Sequence, residues 1–241
     1  MFGLGTIINT AATVAGGVLG VTLKRGIPEK CSNILMQACG VATIFIGAGG
    51  TLQKMFVING TQIETQGTLL LIFSLVIGSL VGSLLDIELR LEKMGEFLKR
   101  KLHTEKDDLF VEGFVTSTLV ICIGAMAIVG AIEDGLTGNY STLTAKAILD
   151  FVIVMIFAST LGKGVIFSAI PLFLYQGGIT CIAALFGDFM STAMIDGISF
   201  VGSALIFCVG INVAFGKKFP VGNMLPSLLI PAIYIGIQGL F

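Results

Sequence analysis

The sequence predicts an all-α polytopic membrane protein, and three observations carry that prediction. Only 12% of its 241 residues are charged, against roughly 25% in ordinary soluble domains. The chain is 55% hydrophobic, with a mean hydropathy of +0.99. Apolar runs of about 18 to 25 residues recur along it, the length at which a helix crosses a bilayer core. A water-soluble fold of this length would lack the charge to cover its surface. A net charge of −1 and the lack of a basic tail argue against nucleic acid as a partner.

The apolar runs predict about eight transmembrane helices, at 3–23, 34–53, 67–86, 110–132, 144–161, 165–187, 198–216 and 222–241. The opening run has no basic residues before it and has Lys24-Arg25 after it, so it reads as a retained first span rather than a cleaved signal. The long apolar stretch 147–187 is divided at Gly162-Lys163-Gly164, where two glycines around a lysine favour a turn. The mixed-charge stretch 86–108 has an apolar stripe of Leu89, Met94, Phe97, Leu98 and Leu102, which suits an amphipathic helix on the inner membrane surface.

Basic residues orient the spans. With the N-terminus outside, the inner loops hold Lys24, Arg25, Lys30, Arg90, Lys93, Lys99, Arg100, Lys101, Lys106, Lys163, Lys217 and Lys218. The outer loops then hold only Lys54 and Lys146. This asymmetry supports eight spans with both termini outside.

The phrase FVTSTLVICIGAMAIVG at 114–130 returns at 200–216 as FVGSALIFCVGINVAFG, with seven of seventeen positions identical. In the eight-span topology the two copies run in opposite directions. The expected organisation is a single membrane domain, 1–241: two N-terminal spans (1–66), a three-helix unit (67–161, including 86–108), and its inverted counterpart (165–241). Inverted repeats with a midplane site are a recurring plan of secondary transporters.

Four phrases together resemble the YqgA/YdfK-type family of uncharacterised bacterial inner-membrane proteins: GTIINTAATVAGGVLG, AIEDGLTGNYS, GVIFSAIPLFLYQGGIT and VGNMLPSLLIP. The resemblance spans essentially the whole chain. It implies a multi-pass protein of the bacterial plasma membrane and brings no function with it.

Polar groups in a bilayer are expensive, so each is a candidate for a site. Asp150 lies inside the fifth span, where it could carry a proton or cation, or pair with Lys146 one turn back. Asn212 stands where the first copy has Met126, and could touch a solute or hydrogen-bond between helices. Pro171 and Gly177-Gly178 are expected to loosen the sixth span, bringing Tyr175, Gln176 and Thr180 to a cavity or merely kinking the helix. Asn223 opens the last span beside Pro226, as a half-helix start or an ordinary anchor. Glu133 and Asp134 read as a solvated loop in preference to a cation site, and no metal is expected. Gly16, Gly20, Gly78, Gly82, Gly124 and Gly210 read as helix-packing positions.

The five cysteines have no metal-ligand spacing. No P-loop, HExxH or GxSxG spacing is present either, so neither an enzyme nor a bound cofactor is expected. The expected function is secondary transport of a small solute by alternating access, with H+ or Na+ as coupling ion. Asp150, Tyr175, Gln176, Thr180, Asn212 and Asn223 would line the pathway. The expected partners are membrane lipid, the solute or ion, and a second copy in a homo-oligomer. The alternatives are an oligomeric channel, or a non-transporting scaffold or regulator acting through 86–108.

Overall fold

A computed structural model describes residues 3–24, 29–60, 62–104, 107–123, 125–186, 191–216 and 218–238. Gly124, a predicted packing position, lies outside them. The chain is helical almost throughout: α1 (Leu4–Lys24), α2 (Glu29–Met55), α3 (Thr68–Leu85), α4 (Ile87–Lys101), α5 (Phe110–Ile123), α6 (Ala125–Thr137), α7 (Ser141–Leu161), α8 (Ala169–Phe186), α9 (Thr192–Phe215), α10 (Val221–Met224) and α11 (Leu229–Gln238). Two 3₁₀ segments, Lys163–Ser168 and Leu225–Leu228, precede α8 and α11.

Among the described residues, five helical spans are long and apolar enough to cross a membrane: Leu4–Leu23, Thr68–Leu85, Ser141–Leu161, Lys163–Leu185 and Thr192–Phe215. Phe110–Cys122 and Met126–Thr137, bent 60° against each other, count as a sixth if the bent pair is one broken span rather than a re-entrant loop. Val221–Ile237 forms a shorter apolar segment.

The distribution of polarity is the reverse of a water-soluble protein's. Leu69, Val76, Leu80 and Leu84 of α3 and Leu174 and Leu185 of α8 are exposed. Thr6, Asn9, Thr13, Ser74, Lys146, Asp150 and Gln176 are buried. Apolar side chains outside and polar ones within is the arrangement a hydrocarbon solvent selects. The protein is a polytopic α-helical membrane protein.

Two compact units divide the chain, and each is discontinuous. The first combines Met1–Cys39 with Arg90–Phe189; the second combines Gly40–Leu89 with Met190–Phe241. In the first, α1 lies along α7 at close range. A Cβ on Gly16 would fall 2.5 Å from the Phe151 carbonyl oxygen, and one on Gly20 2.2 Å from that of Met155. Glycines four residues apart therefore let two backbones meet. In the second unit α3 uses the same spacing: a Cβ on Gly78 would fall 2.2 Å from Ser227 N, and one on Gly82 1.9 Å from Asn223 O. Gly210 of α9 is similarly close to Ile44 N.

Each unit contains a long helix ended by a glycine with positive φ and, further on, a 3₁₀ segment and a proline-bearing helix, with α10 intervening in the second unit. Gly162 ends α7 at φ 86° and Gly216 ends α9 at φ 81°. The twin phrases differ in shape, since 200–215 is unbroken helix in α9 while 114–130 is divided between α5 and α6.

Three local expectations change. The α8 helix runs on through Pro171 and Gly177-Gly178, because Pro171 lies in its first turn, where no intrahelical bond is lost. The break lies upstream, at Gly162 and the 3₁₀ segment. Phe56–Asn59 and Gln62–Thr65, in a stretch expected as loop, pair as antiparallel strands. Their turn starts at Asn59-Gly60, with Gly60 at φ 63°. Lys146, assigned to an outer loop, is a buried residue of α7.

Candidate functional site

Polar side chains concentrate inside the first unit, on facing sides of α1, α7 and α8. On α1, Thr6, Asn9 and Thr13 follow the spacing that keeps residues on one helix face. All three are buried, Asn9 and Thr13 completely. The file covers about 10 Å along the axis at 1.5 Å per residue. Opposite it on α8 stand Gln176 and Thr180, with 0% and 1% exposure.

The facing residues pair by rungs. Thr6 Oγ1 lies 3.4 Å from Thr180 Oγ1. Asn9 Nδ2 donates to Gln176 Oε1 at 3.1 Å. Beside these rungs, Lys146 donates to the Asp150 carboxylate one turn on along α7, and both side chains are buried. The Asn9 side chain also reaches Asp150. Cys122, at the end of α5 where the chain bends into α6, is within electrostatic reach of Lys146 and Asp150, and Tyr175 within reach of Cys122.

Three atoms of this seam have no protein partner: Asn9 Oδ1, Gln176 Nε2 and Thr13 Oγ1. An unmet buried polar atom costs about 1–3 kcal/mol. Asp150 sets the orientation of this pair, since a carboxylate can accept only from the Asn9 amide nitrogen. The ion pair, by contrast, satisfies its own charge.

One end of the seam is closed by α6. Asp134, fully buried, accepts from Gly3 N at 3.1 Å and Gly5 N at 2.9 Å at the start of α1. A carboxylate there meets the unpaired amides and positive end of the helix dipole. The next residue, Gly135, packs against α8, where a Cβ would fall 2.4 Å from Thr180 O. Asp134 is thus a buried cap and not the solvated loop residue expected from the sequence. Glu133 accepts instead from Thr142 Oγ1 at 2.7 Å. Among the described residues no three His, Cys, Asp or Glu side chains gather as a metal site.

Of the six residues predicted to line a pathway, Asp150, Tyr175, Gln176 and Thr180 belong to this first unit. Asn212 and Asn223 belong to the second, where backbone groups occupy them. Asn212 Nδ2 donates to Phe219 O at 2.7 Å, while its Oδ1 accepts from Lys218 N and Phe219 N at 2.8 and 2.9 Å. It ties off the chain after α9. Asn223 Oδ1 accepts from Glu88 N at 2.8 Å, and Glu88 Oε2 accepts from Gly222 N at 3.1 Å. That reciprocal pair joins the start of α4 to the start of α10. The sequence reading offered Lys146 as the partner of Asp150, and that pair is present; it missed Thr6, Asn9 and Thr13 as members of the seam.

The protein family described as "Protein of unknown function (DUF554)" matches residues 4–235. The chain is similar to the Bacillus subtilis (strain 168) "Uncharacterized membrane protein YdfK", at 36% identity over 96% of this chain and 95% of the relative. It is also similar to the Escherichia coli (strain K12) "Uncharacterized protein YqgA", at 29% identity over 94% of each chain. No solved structure matches it.

Proposed function

The chain belongs to the DUF554 family of proteins of unknown function, and from that premise we propose that it is a secondary transporter of a small solute. The observation that carries this reading is the buried seam: an ion pair within a lipid-exposed helix, beside carboxamides and a hydroxyl whose hydrogen bonds are incomplete. Polar groups inside a bilayer are costly to maintain, and a packed scaffold would gain stability from apolar side chains at those positions. A solute passing through supplies the missing partners in one state of the cycle.

In this reading Asp150 is the coupling residue. A proton, or Na+ in competition with Lys146, loosens the ion pair. Breaking a buried pair changes the seam's energy by several kcal/mol, enough to shift a two-state equilibrium strongly. The chain has eight spans, both termini outside, in a bacterial inner membrane. It works by alternating access between inversely related halves, a plan for which the seven positions shared by the twin phrases are the support.

The test uses purified protein in liposomes loaded with a pH-sensitive dye, under imposed solute and Na+ gradients. Saturable, gradient-coupled flux is expected from the native chain, and Asp150→Asn should abolish the coupling while the protein remains monodisperse. Coupling that survives Asp150→Asn would remove Asp150 from the mechanism. Large unitary currents in a planar bilayer would replace a transporter with a channel.

A further inference from the structure

The charges and the amides of the seam divide its work, and the division names the solute. We propose that Asn9 and Gln176 bind a small uncharged solute bearing a carboxamide- or urea-type group, at the same site and resting on the transporter reading above.

Lys146 and Asp150 neutralise each other, so beyond the coupling ion at Asp150 the seam has no unpaired charge with which to hold a charged solute. A charged solute would have to separate that pair and bury an unmatched charge. The open valences are of another kind. Asn9 Oδ1 is an acceptor and Gln176 Nε2 a donor, each completely buried, and Thr13 Oγ1 serves as either. The two carboxamides already share one hydrogen bond. A third group of the same kind offers an N–H and a C=O on adjacent atoms, and so meets both open positions together.

A groove of about 430 Å³ lies between α1 and α8, lined by Ile7, Thr10, Ala11, Val14, Ala15 and Phe173. Its walls are nearly all apolar, and none of these residues is one of the polar residues of the seam. Gly177, next to Gln176, leaves room at the seam: an added Cβ would meet only Thr6 Cγ2, at 3.9 Å.

The experiment measures uptake of radiolabelled acetamide and urea into liposomes containing the full chain. Methanesulfonate and tetramethylammonium serve as anionic and cationic counterparts. Saturable uptake of the neutral solutes is expected. Gln176→Leu should raise the half-saturating concentration about tenfold, the scale of one lost hydrogen bond. The double variant Asn9→Leu/Gln176→Leu removes both partners at once, which buried sites tolerate well. It keeps the test available if the single variant fails to fold, and its neutral-solute uptake should fall to the protein-free level. Saturable uptake of only a charged solute would overturn the solute class and leave transport standing. Neutral uptake that persists in the double variant would overturn the assignment to Asn9 and Gln176. Osmotic water flow without uptake of any solute would overturn both this proposal and the transporter reading.

Discussion

Asp134 accepts a 2.9 Å hydrogen bond from the amide of Gly5, 129 residues away in the chain. The contact is fully buried and holds the start of α1 against the end of α6. Removing the carboxylate with Asp134→Ala should cost about 2 kcal/mol, the value of charge-assisted bonds to backbone amides. Thermal melting in detergent measures the loss. With the cap gone, a cysteine introduced at Thr6 should label faster from one side of the membrane. Unchanged melting would mean that the cap carries no stability.

The ion pair separates stability from coupling. Lys146→Met alone leaves Asp150 buried without its partner, a situation that costs about 3–5 kcal/mol. Lys146→Met combined with Asp150→Leu should recover most of that stability, because no buried charge remains. Both variants should lack ion-coupled flux. A double variant less stable than the single one would contradict a self-contained pair.

Among the described residues, Asn212 makes three hydrogen bonds, to the backbone of Lys218 and Phe219. Asn212→Ala should lower stability by about 2 kcal/mol through unmet backbone groups. The half-saturating solute concentration of the surviving protein should not change. A selective change in that concentration would return Asn212 to the pathway.

The close approach at Gly82 gives a steric prediction. Its added Cβ would lie 1.9 Å from Asn223 O, whereas one on Gly49 meets nothing within 4 Å. Gly82→Ala should therefore reduce the folded yield sharply, at a cost above the roughly 1–3 kcal/mol of ordinary overpacking. Gly49→Ala should be neutral or slightly stabilising, since alanine favours a helix by about 1 kcal/mol. Size-exclusion profiles of the two variants make the comparison.

The membrane class was legible because it follows from bulk composition: too few charges and enough long apolar runs. The division at Gly162-Lys163-Gly164 was legible too, since paired glycines are a local signal, and α7 ends there. Asp150, Gln176 and Thr180 could be found one at a time as polar residues in apolar runs. Thr6, Asn9 and Thr13 carried a readable signal that went unused, their spacing on one helical face. Lys146 was counted with an outer loop when the spans were oriented, yet its pairing with Asp150 one turn on was readable from the i, i+4 spacing and is the pair observed. The hairpin was signalled by Asn59-Gly60. Asp134 offered nothing comparable, for its partners are backbone amides of a distant helix and only the tertiary fold brings them near.

The Asn9–Gln176 bond joins residues 167 positions apart. At a synthesis rate of about 5–20 residues per second, the ribosome makes Gln176 about 8 to 33 seconds after Asn9. Throughout that interval the first helix presents an unmatched carboxamide and two hydroxyls to the insertion machinery or to lipid. The helix-α7 surface that receives Gly16 and Gly20 is made in the same late window. Biogenesis is therefore the stage at which this seam is most vulnerable. Truncation before α8 should leave α1 a substrate for membrane quality control, however well it is inserted.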